Sequence, residues 1–261
     1  MTAKRMFARN VMAALILAAG IAGAQTSEGL IAPRSDAKVR EAEEDYRRGL
    51  AAAEGIGVAR NYFAAVSYYR KAAQSGYVPA QYNLAYLYEN GLGVKQDYAQ
   101  AAAWYRKAAE QGDAESQNNL GVLYSNGQGV PRNDVEAVRL YRLAAAQDDL
   151  EGTSNLAMMY LQGKGIARDP KQAFQLFSKA AARGYSVAQN NLALMYANGE
   201  TGERDFVTAW AWLDVAAAEI PKAAVVRDSL GKEMTAAQIA QAQQLAFQKR
   251  NELAEKKGKI P

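Results

Sequence analysis

Apolar residues recur along the chain at helical spacing, in stripes that themselves repeat every 36 residues. From Ala80, the residues Leu84, Leu87 and Tyr88 follow at i+4, i+7 and i+8, which lays one apolar stripe along a helix. Asn90-Gly91 ends that helix, because glycine reaches left-handed backbone without a steric penalty. Leu92-Gly93-Val94 makes the turn, with Val94 directed back as an apolar plug. Asp97 then offers an N-cap to a second helix, a place taken by Asn61, Asn133, Asp169 and Asp205 in the other copies. On that second helix Ala101, Ala102, Tyr105, Ala108 and Ala109 share one side, small residues that permit close packing, and Gly112 closes it.

The period is visible in Leu84, Leu120, Leu156 and Leu192, in Tyr88, Tyr124, Tyr160 and Tyr196, and in Gly55, Gly91, Gly127, Gly163 and Gly199. Five copies are counted, beginning near Val39, Gly76, Gly112, Asp148 and Gly184. Antiparallel helix pairs with short turns cannot bury their stripes alone and must stack, which predicts an all-α fold, an α-solenoid over residues 36–219. The first copy is worn, with Arg48 where others have Leu, as an end cap requires; Asp36 is placed to N-cap its helix. After Glu219 the pattern breaks at Ile220-Pro221, and residues 220–261 read as capping helices. There Thr235 and Gln238 form a capping box for a last helix whose Ile239, Ala242, Leu245, Ala246 and Leu253 share a face. Its remaining cations, Lys249, Arg250, Lys256, Lys257 and Lys259, read as a solvated cap.

The opening of the chain breaks from the repeat. Three cations within residues 1–10 precede an apolar run from Val11 to Ala22, and Ala22-Gly23-Ala24 supplies small residues for cleavage, so 1–24 reads as a signal peptide cut after Ala24. The run falls short of the ~20 residues that span a bilayer. No later segment is apolar enough to span, so no membrane span is expected after cleavage, and the mature protein is expected to be periplasmic or secreted. Residues 25–35 are polar and read as a disordered leader. The formal charge of +4 owes three units to Lys4, Arg5 and Arg9, so the balance carries no case for nucleic acid.

His and Cys are absent, which excludes a Ser-His-Asp triad, a cysteine nucleophile, an imidazole base and a thiolate zinc site. No catalytic residue, cofactor or metal is expected. The pairs Gly91-x-Gly93, Gly127-x-Gly129 and Gly163-x-Gly165 follow helices and lack a P-loop's Lys-Ser/Thr, so they are turns. The carboxylates of Glu43-Glu44-Asp45 and Asp148-Asp149 read as solvated helix ends, and Trp104, Trp210 and Trp212 as packing residues.

The pattern Leu84-Ala85-x-x-Tyr88-x-x-Gly91-x-Gly93-Val94-x-x-Asp97, followed by Ala102-x-Trp104-Tyr105-x-Lys107-Ala108-Ala109-x-x-Gly112, resembles the Sel-one-like repeat family, a relative of the tetratricopeptide repeat. The resemblance covers roughly Val39 to Glu219. It implies a right-handed superhelix whose concave surface, lined by the first helices, holds a partner. It further implies an adaptor or regulator of an envelope protein, such as a sensor kinase or a cell-wall enzyme. The competing class is a cell-wall enzyme or glycan-binding protein using groove carboxylates and aromatics.

Asn83, Asn119, Asn155 and Asn191 form a row at the same period, each one position before the stripe Leu and about 100° around the helix from it. A primary amide there can donate to and accept from the backbone of an extended protein or peptide partner. Alternatively, each Asn bonds the backbone of its neighbouring repeat and holds the stack. Further round the same helices stand Tyr82 and Tyr86, then Asn118 and Val122, then Met158, then Leu194. Together Tyr82, Asn83, Tyr86, Asn119, Val122, Asn155, Met158, Asn191 and Leu194 are the candidate partner-binding groove. Neither the partner nor the oligomeric state is legible in these residues.

Overall fold

The structure is a computed structural model that describes residues 34–200 and 202–258. The expected signal at 1–24 and the leader up to residue 33 lie outside the described residues. Among the described residues there are twelve helices and no strand. In order they are α1 (Arg34–Glu54), α2 (Tyr62–Gln74), α3 (Val78–Asn90), α4 (Tyr98–Glu110), α5 (Ala114–Asn126) and α6 (Asp134–Ala146). They continue as α7 (Leu150–Gln162), α8 (Pro170–Ala181), α9 (Ser186–Asn198), α10 (Phe206–Ala216), α11 (Pro221–Gly231) and α12 (Ala236–Gly258). This is the all-α repeat fold that the 36-residue period predicts. The chain divides after Asp97 into two compact units, the first holding α1 to α3 and the second α4 to α12. Because α1 begins at Arg34, Arg34 and Ser35 are helical and Asp36 lies within the first turn of the helix.

Local chemistry sets the helix ends. Gly91, Gly127, Gly163 and Gly199 cap α3, α5, α7 and α9 in left-handed backbone, φ between 66° and 69°. The carboxamides or carboxylates of Asn61, Asn133, Asp169 and Asp205 accept from the backbone N–H groups of Ala64, Glu136, Gln172 and Thr208. Each such cap is worth about 1 kcal/mol and fixes where the second helix of a pair begins. Asp148 takes a positive φ of 61° at a register position held by Gly76, Gly112 and Gly184 elsewhere. Its carboxylate lies 2.6 Å from Lys179 Nζ and 3.6 Å from Arg183 Nη1.

The repeats are stitched by a row of glutamines. Gln81, Gln117 and Gln189, all buried, donate Nε2 to the carbonyls of Ala73, Ala109 and Ala181, each at 3.2 Å. Every bond runs from the first turn of one repeat's first helix to the last turn of the preceding helix. The carbonyls so served belong to helix ends, where no intrahelical partner exists. Gln117 also accepts from Gln147 Nε2 at 2.9 Å. Gln117→Ala is therefore expected to lower stability by about 1–3 kcal/mol, because it orphans a buried carbonyl as well as deleting the bond. Chemical denaturation checks it; an unchanged midpoint would remove the stitching role.

At the C-terminal end, Thr235 and Gln238 bond reciprocally as a capping box at the start of α12. Ala242 and Ala246 are buried beneath that helix, while Ile239, Leu245 and Leu253 are half-buried. Of the cations expected as a solvated cap, Arg250 and Lys256 are exposed and Lys249 is half-buried, and all three also reach other helices; the side chains of Lys257 and Lys259 lie outside the described ones. Lys249 Nζ sits 4.1 Å over the Trp212 ring, Arg250 pairs with Asp214, and Lys256 Nζ donates to the Ala182 carbonyl at the end of α8. Desolvation holds the Lys249 ammonium below its ordinary range. The long stems of these side chains let the charged heads reach groups on other helices, a reach that helical periodicity does not reveal. No helix among the described residues is long and apolar enough to cross a membrane.

Candidate functional site

In the second unit the first helices α5, α7 and α9 carry Asn119, Asn155 and Asn191, all half-buried as their position beside the stripe predicts. The backbone stitching considered for this row falls to the glutamines two positions earlier. The asparagines bond elsewhere. Asn155 Nδ2 donates to Asn118 Oδ1 at 2.8 Å, joining α7 to α5. Asn118 Nδ2 in turn donates to Asn119 Oδ1 at 3.2 Å and to Glu151 Oε2 at 3.4 Å. Asn118 is only 2% exposed, so this chain of amides is anchored at its middle.

The anchoring gives the two outer amides a direction. With its Nδ2 bonded to Asn118, Asn155 keeps its Oδ1 as an acceptor; with its Oδ1 bonded, Asn119 keeps its Nδ2 as a donor. One acceptor and one donor held on neighbouring helices match the N–H and C=O of an extended backbone. Beside them Val122 and Met158 are half-buried on α5 and α7, and together with Ser125, Tyr141 and Met159 they line a cleft of about 200 Å³. Burial pushes the Tyr141 hydroxyl up, with a hydrogen bond to Ser125 acting in the opposite sense. On α9, Leu194 is 37% exposed next to the half-buried Asn191.

The first unit is arranged differently. Asn83 is 1% exposed and Tyr82 5% exposed, so neither stands at an exposed margin; of the groove residues expected there, only Tyr86 is half-buried. Asn83 lies inward beside Tyr46 and Tyr69, whose rings are 5.7 Å apart, with Tyr77 5.2 Å from Tyr46. A cap helix with a large aromatic at Tyr46 covers what the other copies leave at the edge. The Asn83 amide slightly favours ionised phenols nearby, yet neither its Nδ2 nor the Tyr69 Oη has a hydrogen-bond partner among the described residues.

The carboxylates weighed for acid or base work have structural partners. Asp149 accepts from the Gly152 N–H, Asp148 is paired with Lys179, and Glu44 is paired with Arg48. Among the described residues no group of three or more acidic side chains is placed to hold a metal ion. Trp104 and Trp210 lie beneath Lys107 and Arg227, at 4.0 and 5.4 Å. Sequence reasoning placed Asn118 among the variable groove positions, whereas it is the buried link that orients the other two amides. The doublet Asn118-Asn119, unlike the single Asn of the α3 and α7 copies, was the available signal.

Five Sel1 repeats match the chain, at residues 46–77, 78–113, 114–149, 151–185 and 186–219. A comparison with curated proteins finds no match. Among solved structures the chain is similar to a protective antigen present in uropathogenic Escherichia coli strains that displays an SLR fold. The two share 35% identity over 84% of this chain and 49% of that one, with a TM-score of 0.76. It is also similar to a Sel1 repeat protein from Oxalobacter formigenes, at 34% identity over 72% of this chain and 76% of that one, with a TM-score of 0.64. The chain thus spans about half the length of the Escherichia coli antigen.

Proposed function

The chain belongs to the Sel1 repeat family, and from that premise we propose that it is an exported, non-enzymatic adaptor or regulator of the bacterial envelope that holds an extended protein or peptide segment. Repeat arrays in general offer extended faces for protein interaction. The observation that carries the reading is the anchored amide chain: Asn118 fixes Asn155 as an acceptor and Asn119 as a donor, while buried glutamines hold the repeats together. Half-buried amides that link neighbouring helices and still keep one acceptor and one donor uncommitted suit a ligand's backbone. Export is supported by the basic-then-apolar opening at 1–24, and the lack of cysteine suits an oxidising compartment without requiring disulfides. Binding centres on Asn119, Val122, Asn155 and Met158, with Asn191 and Leu194 extending the face and Tyr86 its counterpart in the first unit.

The purified chain is expected to select binders from a displayed library of linear peptides. Asn119→Ala combined with Asn155→Ala should weaken those binders roughly tenfold or more. Stability should fall by about 1–3 kcal/mol, because the buried Asn118 Oδ1 loses its donor while its Nδ2 keeps Glu151. A large loss of stability with affinity intact would assign the row to stacking. Cleavage of purified peptidoglycan by the chain, abolished by a carboxylate substitution, would overturn the non-enzymatic reading.

A further inference from the structure

The cleft beside the amide pair is lined by apolar and polar side chains together. Its apolar part is made by Tyr141 and Met159, both buried, and by the half-buried Val122 and Met158; Ser125, Asn126 and Gln162 add polar groups. Methionine side chains adapt their shape to an inserted group. At about 200 Å³ the cleft is smaller than the ~300–1,000 Å³ typical of small-molecule sites, and suits a single aliphatic or aromatic side chain. Lys164 stands at its edge, exposed and without an ion pair to any described residue. Its backbone is held in place: the Lys164 N–H donates to the Met159 carbonyl at 3.1 Å, and Gly163 and Gly165 on either side are both left-handed. The lysine therefore hangs from a fixed point at the edge of a cleft of mixed polar and apolar lining.

The register shows this combination to be particular to one repeat. The position of Lys164 is held by Ile56, Leu92, Gln128 and Glu200 in the other copies, and Glu200 is paired with Arg168 at 2.6 Å. Turn geometry needs no lysine here, since four other side chains occupy the same turn.

Resting on the peptide-binding reading above, we propose that the cleft between α5 and α7 is a specificity subsite that takes one apolar side chain of the bound segment, with an acidic residue next to it in that segment facing Lys164. The amide pair holds the backbone without reading sequence. The cleft and Lys164 supply the reading, an apolar anchor in a concave site flanked by a complementary charge.

The test compares the peptides selected from a displayed linear library by the full chain and by its Lys164→Glu and Met158→Glu variants. The wild-type chain is expected to enrich an aliphatic or aromatic residue with Asp or Glu within two positions of it. Lys164→Glu should replace that acid by Lys or Arg, shifting affinity for matched synthetic peptides by about fivefold in each direction. Met158→Glu should remove the preference for the apolar anchor. Lys164 is exposed, whereas Met158 packs half-buried against the core, so thermal unfolding of each variant, with Met158→Ala beside Met158→Glu, separates loss of the anchor preference from loss of the fold. Peptides selected without the apolar-acidic pair, or selected alike by wild type and Lys164→Glu, overturn the subsite while leaving backbone binding by the amides intact. Failure to select any peptide overturns both, as does concentration-dependent self-association abolished by Lys164→Glu, which would make this face a contact between copies.

Discussion

Replacing Gly129 by Ala is expected to destabilise the second unit by about 3 kcal/mol or more, about twice the effect of the same change two residues earlier at Gly127. Both glycines have φ of 69°, so both substitutions force an L side chain into left-handed backbone at about 1–2 kcal/mol. Space separates them. A Cβ on Gly127 would meet the Arg132 Cβ at 3.2 Å, a contact a surface side chain can relax. A Cβ on Gly129 would stand 2.2 Å from the carbonyl carbon of Tyr98 and 2.3 Å from its oxygen. That is backbone at the first residue of α4, and it can yield only if the helix moves. Gly93 against Tyr62 and Gly165 against Asp134 repeat the approach, so at these three turns the second glycine is where a loop seats directly on the preceding repeat's second helix, whereas Gly57 in the first copy has open space around it. Urea unfolding of the two alanine variants is the measurement. Equal losses would mean that the loop does not seat on α4 and that only the left-handed backbone matters.

What could be read from the sequence was what the period exposes. Caps at Asn133 and Asp205, left-handed glycines at Gly91 and Gly163, and the capping box at Thr235 follow from local chemistry within three or four residues, and the structure reproduces them. The second glycine of each turn was legible only as a turn residue, because the backbone it meets belongs to another helix 31 residues earlier, as Gly129 to Tyr98 shows. The glutamine stitches were present at the same spacing in Gln81, Gln117 and Gln189. A polar residue near a helix start reads as solvated until the neighbouring helix end is known to need a donor. The asparagine row was legible as a row, but its chemistry depends on a bond between Asn155 and Asn118, 37 positions apart. Asn83 differs from its register mates because α1 brings Tyr46 over it, and a worn end copy hides that substitution of neighbours.

A sharp loss of stability on the alkaline side is the second large expected effect, with its onset near pH ~10. Burial raises the phenols of Tyr46, Tyr69 and Tyr141, Tyr46 to about 12, with Tyr77 adding to the effect at Tyr46 and Tyr46 to that at Tyr69. A raised folded-state value means that the neutral form is the one the fold holds. The stability it represents is complete below pH ~10, the unfolded value, and is lost as pH rises from there through the folded values. At about pH 11 each such phenol favours the unfolded chain by about 1.4 kcal/mol, so three together remove about 4 kcal/mol, a large part of a typical domain's stability. Helical circular dichroism and phenolate absorbance followed together should therefore change in one cooperative step; phenols titrating near pH ~10 with helicity retained would place these side chains in water. Tyr69→Phe separates burial from other causes. Phe177 already occupies the same register position three repeats later, fully buried, so the ring fits without its hydroxyl. Because Tyr69 Oη is buried with no hydrogen-bond partner among the described residues, its removal is expected to be neutral or to stabilise by about 1 kcal/mol at neutral pH, and to reduce the alkaline loss by one phenol's share, about 1.4 kcal/mol at pH ~11.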